Sequence, residues 1–401
     1  MNWGRLDLAV KQFTSSNWET VELGSICEVV RGGSPRPIID YITDEPDGVN
    51  WLKIGDVKET DKYFTHAKEQ IKRSGIPKTR EVKKGDLILS NSMSFGRVFI
   101  TLIDGYIHDG WLRIRCDSKR VDKEYLYYFL SSSMAQNQFK AIATGSVVNN
   151  LKTDTVKAVK VLLPPLSTQK RIARVLAKLD DKIKNNEDIS EILFQQCQAL
   201  YKSRYIDMLP FDGIMPPDWH VGTVSEIINI HDSQRIPLSS RERADLEKIY
   251  PYYGAASIMD YVDRYLFDGI YLLLGEDGTV VDDYGFPILQ YVEGKFWVNN
   301  HAHILTGKNG YTVELLYLLF SLTNVQSIVT GAVQPKISQA SLNKVSVIIP
   351  SQAELKTFNA SIQPFFAQLR NMRKESKNLA DIRNSLIPKL MSGELSITDM
   401  A

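Results

Sequence analysis

Apolar residues recur at alternating intervals of four and three positions along two long stretches of this sequence. In the first stretch the positions are Ile172, Leu176, Leu179, Ile183, Asn186, Ser190, Leu193, Cys197 and Leu200. In the second they are Phe358, Ile362, Phe365, Leu369, Met372, Ser376, Leu379, Ile382, Leu386 and Leu390. This heptad spacing predicts two long helices, each with the narrow seam of a coiled coil. A lone helix of this kind is unstable in water, so we expect the two seams to pack together.

Polar residues interrupt both predicted seams near their middle. Asn186 and Ser190 in the first helix and Ser376 in the second either set the pairing register or face solvent at a helix bend. Both interpretations fit the sequence equally well. In addition, Pro364 lies inside the second helical pattern, and we expect it to kink that helix or to move its start downstream.

The regions that precede the two helices have a different pattern, with short apolar runs broken by Gly, Pro and Asp. Such runs predict strands. In the first region they are residues 26–30, 51–54, 86–90, 97–103 and 112–115, with a helical patch at 124–132. In the second region they are 265–274, 288–291 and 302–305, with a helix near 313–322. Each region is therefore predicted to be a mixed α/β domain.

The order of these elements is repeated, and short motifs mark the repeat. Trp18 is matched by Trp219, the pair Thr144-Gly145 by Thr330-Gly331, and Pro164 by Pro350. We therefore predict an α/β fold with a pseudo-twofold internal repeat. Its predicted parts are a first domain at 1–163 with a short leading helix at 1–17, a first long helix at 164–207, a second domain at 208–349, and a second long helix with its tail at 350–401.

The chain has 401 residues and a formal net charge of +1. This net charge argues neither for nor against nucleic-acid binding. The basic residues are unevenly spread, however. One stretch of the first domain holds Lys68, Lys72, Arg73, Lys78, Arg80, Lys83, Lys84 and Arg97, against Glu69, Glu81 and Asp86. A local cationic surface is therefore expected despite the neutral total.

The expected compartment is the cytoplasm. Cys27, Cys116 and Cys197 are single and form no CxxC pair, which excludes a cysteine zinc knuckle and indicates a reducing environment. The first residues show no signal-peptide pattern. The longest apolar run, near 315–320, is too short to span a bilayer.

The motifs that suggest catalysis are weak. The Pro164-Pro165 pair lacks the acidic or amide residue and the aromatic residue of a DNA methyltransferase motif, so it is interpreted as a strand-to-helix joint. The nearest match to a nuclease core is Glu293-Gly294-Lys295, a pattern that arises often by chance. His301 and His303 share one face of a strand, and a hydrogen-bonding surface pair is favoured over a metal site. The chain is therefore predicted to be non-catalytic.

Several segments together resemble the specificity subunit of type I restriction–modification enzymes. They are the joint at 163–172 (LPPLSTQKRI), the closing segment at 386–395 (LIPKLMSGEL), and 84–90 (KGDLILS), 252–255 (YYGA) and 297–303 (WVNNHAH) in the two domains. Their order and duplication are specific to that family. Pro364, and Ser351 where the first joint has a second proline, depart from the pattern.

The resemblance implies a subunit that reads double-stranded DNA with two target-recognition domains, one for each half of an asymmetric, interrupted sequence. Two long antiparallel coiled-coil helices would separate the domains and dock two adenine-methylating modification subunits. Restriction subunits, which are motor nucleases, would join this core. No cofactor is expected on this chain, since S-adenosylmethionine would be bound by the modification subunits. No membrane partner is expected.

Candidate DNA contacts follow from the types of side chain that bind phosphates and base edges. For phosphates the candidates are Arg36, Lys72, Arg73, Lys78, Arg80, Lys83, Lys84, Arg235, Arg241, Arg243 and Lys336. For base edges they are Asn91, Arg97, Asn149, Asn150, Gln234, Asn299, Asn300, His301 and Gln334.

One alternative is a coiled-coil scaffold that bridges two identical protein partners and does not bind DNA. Reversing charges in the domain loops would leave such a scaffold functional but would abolish DNA reading. A self-contained enzyme is a further alternative, which the weak catalytic motifs disfavour.

Overall fold

Each of the two regions that precede a long helix folds into sheets flanked by short helices. The computed structural model describes residues 18–58, 61–92, 95–144, 150–331 and 333–397. The predicted leading helix at 1–17 lies outside these residues. The chain divides into two compact units, Met1–Lys184 with Lys377–Ala401 and Asn185–Ser376. Within the described ranges, the helices are too short or too polar to cross a membrane.

The strands of the first unit lie between residues 19 and 163. They are β1 (Glu19–Glu22), β2 (Cys27–Arg31), β3 (Ile42–Thr43), β4 (Val49–Leu52), β5 (Tyr63–Phe64), β6 (Glu69–Ile71), β7 (Arg80–Val82), β8 (Leu87–Ser90), β9 (Val98–Thr101), β10 (Gly105–Ile107), β11 (Trp111–Cys116) and β12 (Lys160–Leu163). Its helices are α1 (Leu23–Ile26), α2 (Lys123–Ser131), α3 (Ser133–Thr144), α4 (Thr153–Lys157) and the first half of α5 (Leu166–Tyr201).

These strands form two five-stranded sheets and one separate pair. One sheet has the order β2-β11-β8-β9-β5 and the other β3-β6-β4-β10-β7, while β1 pairs antiparallel with β12. Leu112 and Ile114 of the first sheet pack with Tyr125 and Phe129 of α2 in a single buried cluster. We call the part from β1 to β12 the first head.

The second unit repeats this plan with fewer, longer strands. They are β13 (His220–Thr223), β14 (Ile228–Ile230), β15 (Tyr250–Tyr253), β16 (Ile258–Val262), β17 (Phe267–Gly275), β18 (Leu289–Val298), β19 (Ala302–Gly307) and β20 (Ser346–Ile349). Its helices are α6 (Ser240–Ala244), α7 (Val313–Ser321), α8 (Gln339–Asn343) and the first part of α9 (Gln352–Met391). The sheet order is β14-β19-β17-β18-β15-β16, and β13 pairs with β20. The part from β13 to β20 is the second head.

Equivalent helices of the two heads begin in the same way. The Asp122 carboxylate accepts a hydrogen bond from the backbone N–H of Tyr125 at the start of α2, at 3.0 Å. The Thr312 hydroxyl accepts one from Leu315 at the start of α7, at 3.3 Å. Each cap satisfies a backbone donor that has no partner within the helix. The sequence repeat is therefore a repeat of local structure.

The long helices run antiparallel, as the family resemblance implied. Within the second unit, Asn186 of α5 contacts Glu375 of α9, and Arg204, just beyond the end of α5, contacts Glu354, which comes earlier in α9. The fold is thus α/β, with two mixed domains, an internal repeat and two long antiparallel helices.

The seams follow the predicted spacing in part. Two predicted seam residues are replaced by their neighbours: Phe366 is buried in place of Phe365, and Tyr201 in place of Leu200. A third predicted seam residue, Ile382, is 47% exposed. The reason is that α5 and α9 pack against the head cores as well as against each other. A helix that contacts a domain core needs a broader apolar face, with the helix period of 3.6, than a pure coiled coil does.

The prediction that Pro364 moves the start of the second helix was wrong, because α9 begins at Gln352 and continues through Pro364. Proline removes one donor and frees the carbonyl four residues earlier, here Ala360. Both Pro364 and Ala360 are exposed, so water can satisfy this carbonyl.

The polar residues in mid-helix are seam residues and not a solvent-facing bend. Asn186 is buried and donates from its side-chain amide to the Glu375 carboxylate at 2.8 Å and to the Ser376 hydroxyl at 3.3 Å. The Ser190 hydroxyl lies 3.7 Å from the Met372 sulfur. Sliding one helix against the other would bury these groups without partners, so they favour one register.

Replacing Asn186 with Ala is expected to destabilise the chain by about 1–3 kcal/mol, because it removes hydrogen bonds to a charged and a neutral acceptor. Urea denaturation followed by circular dichroism measures the change. The matched control is Asn185→Ala, since Asn185 is the preceding residue and is exposed. Equal denaturation midpoints for the two variants would contradict a stabilising role for the Asn186 amide.

Candidate nucleic-acid interface

Four strand ends of the first head meet at one edge of its sheet. Because β2, β11, β8 and β9 pair antiparallel in that order, the ends of β2 and β8 lie beside the starts of β11 and β9. The loops at these ends, with the segment that pairs to them, form what we call the first loop edge. It comprises residues 31–41, 90–92, 95–97, 108–111 and 150–151.

The second head has the equivalent edge. Here β14, β19, β17 and β18 pair antiparallel in that order. The ends of β14 and β17 therefore lie beside the starts of β19 and β18. We call this the second loop edge, which comprises residues 231–239, 276–287, 299–301, 330–331 and 333–337.

One backbone contact shows that the two edges are built alike. The Leu151 N–H donates to the Asn91 carbonyl at 2.9 Å, and the Ile337 N–H donates to the Glu276 carbonyl at 3.0 Å. In both heads this bond ties the segment after the repeated Thr-Gly motif to the residue just beyond the central strand β8 or β17. In both heads the repeated motif thus precedes a segment that is joined to the edge of the sheet.

Three of the predicted phosphate contacts are grouped at the first loop edge. The Lys72 ammonium donates to the Asp40 carbonyl at 2.9 Å, and the Lys78 ammonium donates to the Tyr41 hydroxyl at 2.7 Å. Both lysines thereby lie beside the loop that carries Arg36. The Arg36 side chain is 80% exposed and makes one long contact of 3.3 Å to Asp109. These three cations form an exposed cluster.

The remaining members of the basic stretch do not all join this cluster. Lys83 and Lys84 precede β8, so they lie at the end of the sheet opposite the first loop edge. Arg73 is exposed and lies 4.0 Å from Asp47, and Arg80 donates to the Thr79 carbonyl. The sequence places these cations close together, but strand β8 separates Lys83 and Lys84 from Arg36.

The predicted base contacts of the first head are less exposed than expected. Asn91 is buried, and its amide donates to the Asp109 carbonyl at 3.0 Å, so its role is to support the loop. Arg97 is half-buried and lines a cleft with Tyr127 and Asp180. Asn150 is partly exposed. Asn149 lies outside the described residues.

In the second head, two predicted phosphate contacts are engaged in the interior. The guanidinium of Arg235 lies 2.6 Å from Glu276 and also donates to the Ala302 carbonyl. Arg243 is buried against the ring of Tyr252 and lies 2.5 Å from Asp260. A paired and desolvated guanidinium is not free to neutralise a phosphate, so both arginines leave the proposed contact set.

The other candidates of the second head fall into two groups. Asn299 is buried, and its side-chain oxygen accepts from the His301 N–H at 2.8 Å, which fixes the turn before β19. The exposed or partly exposed candidates are Gln234, Arg241, Asn300, His301, Gln334 and Lys336. All of these except Arg241 lie on the second loop edge.

The prediction that His301 and His303 form a surface pair was wrong, because His303 is fully buried. Its Nδ1 lies 2.6 Å from the Asp232 carboxylate and its Nε2 lies 2.8 Å from the Ile337 carbonyl. Burial acts to raise the pKa of Asp232, but the hydrogen bond and charge of His303 and the Ile304 N–H outweigh it and leave that pKa below its usual range. Both ring nitrogens of His303 therefore lie within hydrogen-bond distance of an oxygen atom.

Asp232, Glu276 and His303 are close enough that one atom from each could ligate the same metal ion. However, the Arg235 guanidinium occupies this site, 2.6 Å from Glu276 and 3.5 Å from Asp232. The Lys336 ammonium is a second positive group at this site, 3.4 Å from Glu276. An ion would have to displace these cations, so the arrangement is a closed ion-pair network under the second loop edge.

The comparisons with known proteins agree with this architecture. The family model described as type I restriction modification DNA specificity domain matches residues 15–193 and 216–380. The chain therefore belongs to the family of type I restriction–modification specificity subunits. These are non-catalytic components of their complexes, with a role in DNA target recognition and in assembly.

Several known specificity subunits and one solved structure are similar to this chain, over different shares of its length. The MjaIX specificity subunit of Methanocaldococcus jannaschii is 25% identical, over 96% of this chain and 95% of the relative. A putative specificity subunit of Haemophilus influenzae is 34% identical over 32% of each chain. The crystal structure of a type I S subunit from M. genitalium has the same fold, with a TM-score of 0.52, 19% identity and 99% coverage of both chains.

Replacing Asp232 with Asn is expected to destabilise the chain by about 3–5 kcal/mol at pH 7, because it removes the buried carboxylate charge that Arg235 and His303 contact. Since its folded-state pKa is lowered, the Asp232 contribution is full above the ordinary Asp pKa and is lost as the pH falls through the folded value. Urea denaturation monitored by tryptophan fluorescence measures both effects. Asp263→Asn, at an exposed ion pair with Arg264, is the control and should change stability by less than about 0.5 kcal/mol. Equal losses in the two variants would contradict the network.

Proposed function

We propose that this chain reads a bipartite, asymmetric sequence in double-stranded DNA, with one head for each half-site. The observation that carries the proposal is the pair of loop edges, which share a backbone plan and differ in their side chains. Because the backbone arrangement is shared, each head can present its loops to DNA in the same way. Different side chains then give each head its own preference for base edges.

The charge at the two edges supports this division. The first loop edge has the exposed Arg36, and the exposed Lys72 and Lys78 lie beside it, where their charges suit phosphates. The second has exposed amides at Gln234, Asn300 and Gln334 with Lys336 beside them. Amides of Asn and Gln pair with adenine in the major groove.

We further propose that α5 and α9 dock two adenine-methylating modification subunits, which restriction subunits then join. S-adenosylmethionine would be bound by the modification subunits. Support comes from apolar side chains that the long helices leave exposed. They are Ile192, Leu200 and Ile382.

Substitution of Arg36 or Lys78 by Ala is expected to weaken binding of cognate and random duplexes by similar factors, because phosphates are common to all sequences. The slope of log Kobs against log salt concentration should become shallower by about 0.9 for each lost phosphate contact. Salt titrations of binding by the complex with modification subunits measure this.

Lys83→Ala and Lys84→Ala are the matched controls, since these lysines lie at the opposite end of the same sheet and are expected to leave the salt slope unchanged. A scaffold that does not bind DNA would show no difference among the four variants. Equal effects of all four would contradict an interface at the first loop edge.

The proposal also predicts that the long helices set the spacer between half-sites. A seven-residue insertion in each helix, after Lys184 and after Ser376, keeps the heptad register and lengthens both by about 10.5 Å. At about 3.4 Å per base pair, the recognised spacer should grow by roughly three pairs. Methylation mapping in cells that express the variant measures the spacer. A spacer of the original length in an active variant would contradict this function of the helices.

A further inference from the structure

An isoleucine projects into solvent from the equivalent loop of each head. Ile39, which follows β2, is 75% exposed, and Ile236, which follows β14, is 52% exposed. The preceding Ile38 is also exposed, at 38%. Single exposed apolar residues are common on protein surfaces and need no explanation. Here, however, one lies on the loop after the equivalent strand of each head, on two loop edges with otherwise different side chains.

The loop that carries Ile39 is fixed by its surroundings. A Cβ added at Gly33 would lie 2.5 Å from the Lys78 carbonyl oxygen, so the backbone there lies directly against its neighbour. The Ser34 hydroxyl donates to the Asp109 carboxylate at 2.9 Å. Next to Ile39 itself, the Tyr41 N–H donates to the Ile38 carbonyl at 2.9 Å and the Lys72 ammonium donates to the Asp40 carbonyl at 2.9 Å. These bonds reduce the conformational entropy that is lost when Ile39 contacts a partner.

The loop that carries Ile236 is held at the residue itself. The indole N–H of Trp297 donates to the Ile236 carbonyl at 2.6 Å, and the Leu238 N–H donates to the Tyr252 hydroxyl at 2.9 Å. Ile236 nevertheless has half of its surface exposed. A fixed backbone with an exposed aliphatic side chain is suited to a contact of defined geometry.

The charge around Ile39 matches duplex DNA, because Arg36 lies in the same loop and Lys72 donates to the carbonyl of the neighbouring Asp40. The edge that carries Ile236 has the exposed Lys336, together with the exposed Asp282 and Asp283. A partner must therefore combine anionic groups with a small apolar group that is recessed between them. In the major groove the 5-methyl group of thymine lies between two phosphate backbones, and aliphatic side chains recognise it by apolar contact.

We infer that Ile39 and Ile236 read thymine 5-methyl groups in the major groove, one in each half-site. This inference rests on the proposed function and adds the kind of base pair recognised. Each isoleucine discriminates an A·T pair in one orientation by burying the methyl group. Each half-site therefore contains at least one thymine whose methyl group contributes to affinity.

Replacement of thymine by uracil is the test, because it removes the 5-methyl group and leaves base pairing and the minor groove unchanged. The full chain with its modification subunits is titrated with the cognate duplex, defined by methylation mapping, and with duplexes that carry one uracil each. Burial of one methyl-sized group changes affinity by roughly fourfold. We expect such a loss at one thymine or more in each half-site.

Ile39→Ala and Ile236→Ala assign each effect to its residue. Each variant should bind the cognate duplex about fourfold more weakly and should lose the difference between thymine and uracil in one half-site only. Val221→Ala is the matched control, since Val221 is 63% exposed on β13, at the joint and not on a loop edge. It should keep the full difference in both half-sites.

The outcomes separate this inference from the proposed function. If the complex binds cognate and random duplexes equally, the proposed function fails. If it selects the cognate duplex but thymine and uracil bind equally, or if the isoleucine variants keep the difference, the inference alone is overturned. Weaker assembly with modification subunits, at unchanged discrimination, would show that the isoleucines contact protein and would also overturn it.

Discussion

The antiparallel pairing between the first and last strands of each head is the constraint on which the rest of the structure depends. β1 pairs with β12 from Glu19↔Leu163 to Glu22↔Lys160, and β13 pairs with β20 from His220↔Ile349 to Thr223↔Ser346. The chain therefore enters and leaves each head at one place, next to the start of a long helix. Loops between these strands can change in length and sequence while the attachment to the helix stays the same. This explains how two heads of different length keep the same joint.

A shared backbone plan supports different chemistry at the two loop edges. Asn91 and Glu276 hold equivalent backbone positions, but the side chain of Asn91 makes a neutral hydrogen bond to the Asp109 carbonyl, whereas Glu276 belongs to an ion-pair network. The network demands complementary charges at several positions at once, so single substitutions there are costly. The exposed residues around the network do not have to keep a complementary charge. Substitutions that change DNA specificity are therefore expected at exposed positions of the loop edges. The buried residues that hold those loops in place are expected to stay the same within a head.

The sequence predicted the features that depend on periodicity and missed those that depend on which strands become neighbours. Heptad spacing predicted both long helices, but the choice of Phe365 over Phe366 failed because the pattern carries no information on the head core that shares the helix face. The buried state of His303 follows from Asp232, far away in the chain. Cys27 and Cys116, interpreted as single, lie directly opposite each other on β2 and β11. Composition and spacing within one segment hold no signal for such pairings.

Hydrogen–deuterium exchange of the assembled complex, with and without cognate duplex, tests most directly whether the loop edges are where DNA is read. The account predicts slower exchange on DNA binding at 31–41 and 231–239, and unchanged exchange at 83–86 and 101–105, which lie at the other end of the first sheet. Protection of the latter segments with no change at the loop edges would contradict it.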